Sequence, residues 1–192
     1  MGNAGTRLLL KNYTVLQQTM GSSCGVCAVN SVMKYYGYNE ESYYDLELSY
    51  VKLYEKLLND TIKGKGTSVT GQAKTLKTLG YKAYPYEVAQ GNTPRFATYE
   101  QYAEFMKYHL KNGRPIVLST KPAGGHFITV IGFDDMGTAN PYDDIMIMAD
   151  SNDISDHYQD GYTINSATRI FRQHVHSYRT KIQQMLVIYD KD

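Results

Sequence analysis

The chain reads as an α+β domain in which helices come first and strands follow, an order that calls for a largely antiparallel sheet. Two observations carry this. Residues 24–36, 40–58 and 68–79 place apolar side chains at helical spacing, and glycines punctuate them at Gly37, Gly64, Gly66 and Gly80. Residues 115–120, 126–133, 145–149 and 185–189 are then short, apolar and rich in branched side chains, as strands are. At 192 residues the chain is expected to be one domain, 1–192, with enough core to need no disulfide staples.

Residues 14–17 form an extended lead-in to a polar turn, Met20-Gly21-Ser22-Ser23. After it, Cys24, Cys27, Ala28, Ser31, Val32 and Tyr35 share one helical face, and Val29, Val32, Met33 and Tyr36 adjoin it. A helix apolar over so much of its circumference is expected at the centre of the fold. Residues 40–58 predict one or two amphipathic helices with a stripe through Tyr44, Leu48, Val51, Tyr54, Leu57 and Leu58. Thr67 or Ser68 caps a short helix running to Leu79. Residues 81–87 alternate like a strand, 91–95 read as loop, and 98–112 as a helix closed by Asn112-Gly113. Among the late strands only residues 165–178 read as a helix.

Composition narrows the function classes. A formal net charge of +1 gives no electrostatic reason to expect nucleic acid or an anionic membrane as partner. No run approaches the roughly 18 apolar residues of a membrane span, and three consecutive leucines near the start are too few for a signal-peptide core. Phosphate loops, nucleotide fingerprints and metal motifs are absent, so no cofactor and no metal are expected. The 19 tyrosines with no tryptophan suit half-wet grooves. Tyr43, Tyr44, Tyr84, Tyr86, Tyr158 and Tyr162 are the ones to locate.

Cys24 opens the first helix, where unpaired backbone N–H groups and the helix dipole favour an anion. A thiol there is shifted towards thiolate, the form that attacks carbonyl carbon. Such a nucleophile needs a base, a group that orients the base, and an oxyanion site. His126, opening a strand after Gly124-Gly125, is the best base of five histidines. His109 reads as a favourable cation near a helix C-terminus, His157 lies in a polar loop, and His174 and His176 do not share a helix face. Asp150, closing the 145–149 strand, is the candidate orienter, with Asn152 as its rival. Gln18, or Gln17, can return a side-chain amide donor to the oxyanion. Cys24-Gly25-Val26-Cys27 is also a redox-type C-x-x-C, but that arrangement wants an apolar strand before it, and residues 17–23 are polar.

Taken together, Gln18, Cys24-Gly25, Tyr35-Tyr36-Gly37, Gly125-His126-Phe127 with the later Gly132, Asp150 and Asp160-Gly161-Tyr162 resemble the papain-like cysteine peptidases. The likeness is to the branch that includes the bacteriocin-processing, double-glycine leader peptidases and their stand-alone relatives. It spans residues 18–189. The resemblance implies a papain-like fold, a helical N-terminal part whose central helix packs on a mainly antiparallel C-terminal sheet. It also implies Cys24 as nucleophile, His126 as general base and acid, Asp150 as orienter, Gln18 as oxyanion donor, and a peptide or protein as substrate. The Gln spacing selects Cys24, since Gly21 stands six residues before Cys27; Cys27 is expected to be a small core residue. Ser151 stands where the family often has proline. No transporter segment follows, so an export-coupled leader peptidase is not expected; the resemblance admits a secreted or cell-envelope setting. The rival readings are an acyl or peptidyl transferase of transglutaminase- or phytochelatin-synthase-like type, and a peptide-binding module without catalysis.

Overall fold

The computed structural model describes residues 5–40, 42–88, 96–120, 125–153, 158–177 and 183–191. Within them the fold is α+β: five helices and a seven-stranded sheet in which every pairing is antiparallel. In chain order the elements are β1 (Arg7–Leu9), α1 (Cys24–Tyr35), α2 (Tyr43–Leu58), α3 (Val69–Thr78), β2 (Tyr81–Val88) and α4 (Tyr99–Lys111), then β3 (Ile116–Thr120), β4 (His126–Asp134), β5 (Ile145–Ala149), β6 (Tyr162–Ser166), α5 (Ala167–Ser177) and β7 (Gln183–Lys191). The sheet order is β2-β7-β3-β4-β5-β6, and β1 pairs with β4 at Gly132–Asp134, beyond the stretch of β4 that faces β3.

Local chemistry sets most boundaries. Ser42, Ser68 and Thr98 accept from the N–H groups of Asp45, Gly71 and Gln101 and so cap α2, α3 and α4. β2 tolerates Pro85 because it is the sheet's edge strand. In α1 every residue from Gly25 to Met33 is buried, which places this helix in the core against β4. α2 packs on α1 and α3, α3 packs on β2, and α4 and α5 pack on each other and on β4 and β3.

Two expectations need correction. Residues 40–58 give a single helix, α2, within the expectation, but its buried stripe runs through Leu46, Glu47, Tyr50, Val51 and Tyr54, while Tyr44 is 59% exposed. The charge at Glu47 disguised the true apolar face. Asn165 and Ser166 end strand β6 and are not helical; α5 starts only at Ala167, whose N–H bonds to the Asp144 carbonyl at 2.8 Å. β6 carries an exposed Ile164 at the sheet edge, so its alternation did not read as a half-buried strand. The three-residue β1 is too short to show a period and exists through its pairing with β4. The loop expected at 91–95 lies outside the described residues.

Among the described residues, no helix is long and apolar enough to cross a membrane. Nor do three or more His, Cys, Asp or Glu side chains there gather as a metal ion would require.

Candidate active site

The start of α1 meets the starts of β4 and of the loop after β5. Ser23 is the N-cap of α1, but its side chain does not cap the helix; its hydroxyl donates backwards to the Met20 carbonyl at 2.6 Å. The first N–H groups of α1 are therefore left for other acceptors. Gly25 is required by close packing. A Cβ there would lie 2.2 Å from Thr67 Oγ1, 3.0 Å from Phe127 Cδ2 and 3.1 Å from Gln72 Nε2. Thr67 is held by Gln72 Nε2 at 2.9 Å, and Gln72 in turn accepts from Tyr50 at 2.7 Å. The α2–α3 region thus presses directly on the helix turn that carries Cys24.

Cys24 is partly exposed and Cys27 is buried, and both are free thiols. Burial alone would raise the Cys24 thiol. A hydrogen bond with His126, backbone hydrogen bonds with Phe127 and Gly25, and the nearby imidazolium charge outweigh it, so its pKa is lowered. Cys27 goes the other way: burial, followed by the neighbouring Glu47 carboxylate, pushes its thiol far up. The two thiols of the C-x-x-C are electrostatic opposites.

His126 follows Gly125, whose φ of +109° is a conformation that glycine alone adopts without strain. Its Nε2 lies 2.5 Å from Asp150 Oδ1. Burial disfavours the imidazolium, but the Asp150 carboxylate and Cys24 overcome this and raise the His126 pKa to about 9. Asp150 is fixed by its backbone, its N–H donating to the Gly161 carbonyl at 2.8 Å, and its Oδ1 also accepts from the Asn152 N–H at 2.9 Å. Asn152 is exposed, and through that N–H it supports Asp150.

Gln18 joins the same loop twice. Its N–H donates to the Ser151 carbonyl at 2.8 Å, and its Oε1 accepts from Ser151 Oγ at 3.1 Å. Gln17 is exposed and donates to the Gln159 carbonyl at 3.2 Å. The structure therefore brings Cys24, His126, Asp150 and Gln18 into one chain of contacts that runs from α1 through β4 to the end of β5.

Among the described side chains, the one other histidine, His109, does not enter this group. His109 is 3% exposed and packs edge-on to Phe105 with ring centroids 4.5 Å apart. It lies in the last turn of α4, as expected, but as a core residue. His157 and the side chains of His174 and His176 lie outside the described residues. Tyr44, Tyr84 and Tyr158 are more than half bare or close to it, at 59%, 50% and 85% exposure, while Tyr162 bonds to the Tyr13 carbonyl at 2.5 Å.

Sequence reasoning missed Glu47, which sits beneath the Gln18–Ser23 segment and accepts from the Thr19 and Met20 N–H groups. The signal was legible: Glu47 stands three, four and seven residues before Tyr50, Val51 and Tyr54, a carboxylate set in an apolar stripe.

The Peptidase_C39 like family model matches residues 10–183, nearly the whole chain and all four residues of the group. The chain belongs to the Peptidase_C39 like family. At that level it is of cysteine-peptidase type within the papain-like superfamily, which agrees with a central Cys-bearing helix on an antiparallel sheet. No curated protein sequence matches it. Among solved structures it is similar to the Pseudomonas avirulence protein AvrPphB, at 12% identity and a TM-score of 0.47, over 94% of this chain and 99% of that one.

Proposed function

We propose that this Peptidase_C39 like protein is a thiol hydrolase that cleaves a peptide or isopeptide bond through a Cys24–His126–Asp150 triad. The observation that carries the reading is the imidazole of His126, which bonds Asp150 at Nε2 and engages Cys24. Asp150 holds the ring in one orientation and favours its charged form. The low thiol pKa at Cys24 and the high imidazole pKa at His126 together favour a thiolate–imidazolium pair.

In the reaction, Cys24 Sγ attacks the scissile carbonyl carbon, and the carbonyl π electrons move onto oxygen. Gln18 Nε2 and the backbone N–H at Cys24 receive that oxyanion. Collapse expels the amine, which takes its proton from His126, and leaves a thioester on Cys24. Neutral His126 then removes a proton from water, the hydroxide adds to the thioester, and the carboxylic acid product leaves with the thiolate restored. The substrate class is a peptide or protein, and the reacting unit is one domain.

A peptide epoxide tests this at neutral pH. Wild type and Cys27→Ala should take up one label at residue 24, and Cys24→Ala none. Full labelling of Cys24→Ala together with loss in Cys27→Ala overturns the assignment. With a cleavable peptide, mass spectrometry should find the free carboxylic acid even when an amine acceptor is present in excess; an amide product as the main species would identify a transferase.

A further inference from the structure

Gln18 is not merely near the site; its segment is gripped from two sides by groups that the reaction does not consume. On one side is Ser151, 4% exposed, whose carbonyl accepts from the Gln18 N–H at 2.8 Å and whose Oγ donates to Gln18 Oε1 at 3.1 Å. With Oε1 engaged, the amide has one orientation, and Nε2 is the end left to act as donor. On the other side is Glu47, 2% exposed, reaching up from α2. Its carboxylate accepts from Thr19 N at 3.2 Å to each oxygen, from Thr19 Oγ1 at 2.7 Å and from Met20 N at 3.3 Å. These are the two backbone N–H groups immediately after Gln18.

A buried carboxylate is costly unless it is well hydrogen-bonded. Burial opposes the charge of Glu47, yet hydrogen bonds, those from Thr19 foremost, hold its pKa below the ordinary value, so it stays an acceptor. As an anion it can only accept, which matches the row of donors on the Gln18–Ser23 segment. A neutral amide in its place would turn an N–H group towards those donors.

We infer that Ser151 and Glu47 are positioning residues for the oxyanion site, Ser151 setting the side-chain amide of Gln18 and Glu47 setting the main chain that carries it. The inference rests on the thiol-hydrolase reading above and extends it. It also links the acid of the triad to the oxyanion donor, because Asp150 and Ser151 are neighbours in one loop.

Two reactions of the intact protein separate this role from a general structural one. Alkylation of Cys24 by iodoacetamide needs the thiolate but forms no oxyanion. Acylation by p-nitrophenyl acetate, followed by p-nitrophenolate release, needs both and requires no knowledge of the natural substrate. Gln18→Ala should slow acylation by about 10²–10³-fold. Ser151→Ala and Glu47→Gln should each slow it roughly tenfold, as a misplaced donor does, while iodoacetamide alkylation stays within about twofold of wild type. Ser151→Thr, which keeps the hydroxyl, should recover most of the rate. Added to Gln18→Ala, neither substitution should slow acylation further, because the group they position is gone.

The inference is overturned if Ser151→Ala and Glu47→Gln leave acylation unchanged while Gln18→Ala slows it. It is equally overturned if they slow alkylation and acylation alike, or if their effects multiply with that of Gln18→Ala. If Gln18→Ala itself acylates like wild type, the oxyanion assignment fails and this inference fails with it.

Discussion

His126 is the residue on which the site turns, because its two ring nitrogens face different elements. Nε2 is taken by Asp150 at 2.5 Å, which leaves Nδ1 as the nitrogen for Cys24. The pH dependence follows from the two shifts. Cys24 loses its proton below the usual thiol range, and His126 keeps its proton up to about 9, so the ion pair is populated between those limits. On the proposed mechanism, hydrolysis should therefore rise through the lowered Cys24 pKa and fall as pH passes about 9, where the imidazolium proposed to protonate the leaving amine is lost. Asp150→Asn removes the carboxylate that raises His126, and the alkaline limb of the pH–rate profile should move down by about one unit or more. Asn152→Ala should leave the profile in place, since Asn152 bonds Asp150 through its main chain alone. An unmoved limb in Asp150→Asn, or a moved one in Asn152→Ala, gives the role to Asn152. At this scale the sequence was informative for residues that open or close an element, as Cys24, His126 and Asp150 do. Glu47 was legible only as a carboxylate within an apolar stripe, and Ser151 not at all, because their roles come from a contact between α2 and a loop and from one between residues 133 apart.

Among the elements, α1 has the tightest requirement, because it must be apolar in the core and still deliver a thiol at its first residue. Its uncapped N-terminus and the missing side chain at Gly25 serve that delivery. Gly25→Ala forces a methyl group against Thr67 Oγ1 and should cost about 1–3 kcal/mol of unfolding free energy, as overpacking does. It should also slow iodoacetamide alkylation of Cys24 by displacing the first turn. Thr67→Ala in the same chain should recover part of both losses; urea unfolding and the alkylation rate measure them, and a Gly25→Ala variant as stable as wild type contradicts the packing account. Helices with caps, and strands bounded by turns, were legible because those signals are local. α2 was legible as a helix but not in rotation, since one buried charge turned its apparent stripe away from Leu46 and Tyr50. β1 and β6 were hidden for a different reason: a three-residue strand and an edge strand with Ile164 in solvent owe their form to β4 and β5, not to their own pattern.

For the molecule as a whole, β7 ties the two halves together. It lies between β2, which belongs to the helical half, and β3, which opens the strand-rich half, and its Met185–Ile188 core is buried. Amide hydrogen exchange should find β3 and β7 among the slowest segments, opening only with global unfolding, and β1 and β6 faster. Removing residues 183–191 should abolish the cooperative unfolding transition seen by circular dichroism; a shortened chain that still melts cooperatively contradicts this. The α+β order was visible in the sequence because helix and strand periods differ, whereas the pairing of β2 with β7 across a hundred residues leaves no local trace. The site depends on that closure, since it joins the start of α1 to the start of β4 and the end of β5. The most direct test is the pH dependence of iodoacetamide alkylation of the folded protein, with the modified residue mapped by mass spectrometry. The account predicts one adduct, at Cys24, with reactivity already present below the ordinary thiol pKa of about 8.5 and a second step near 9 as His126 titrates. A single rise centred on the ordinary thiol pKa, or an adduct at Cys27, contradicts it.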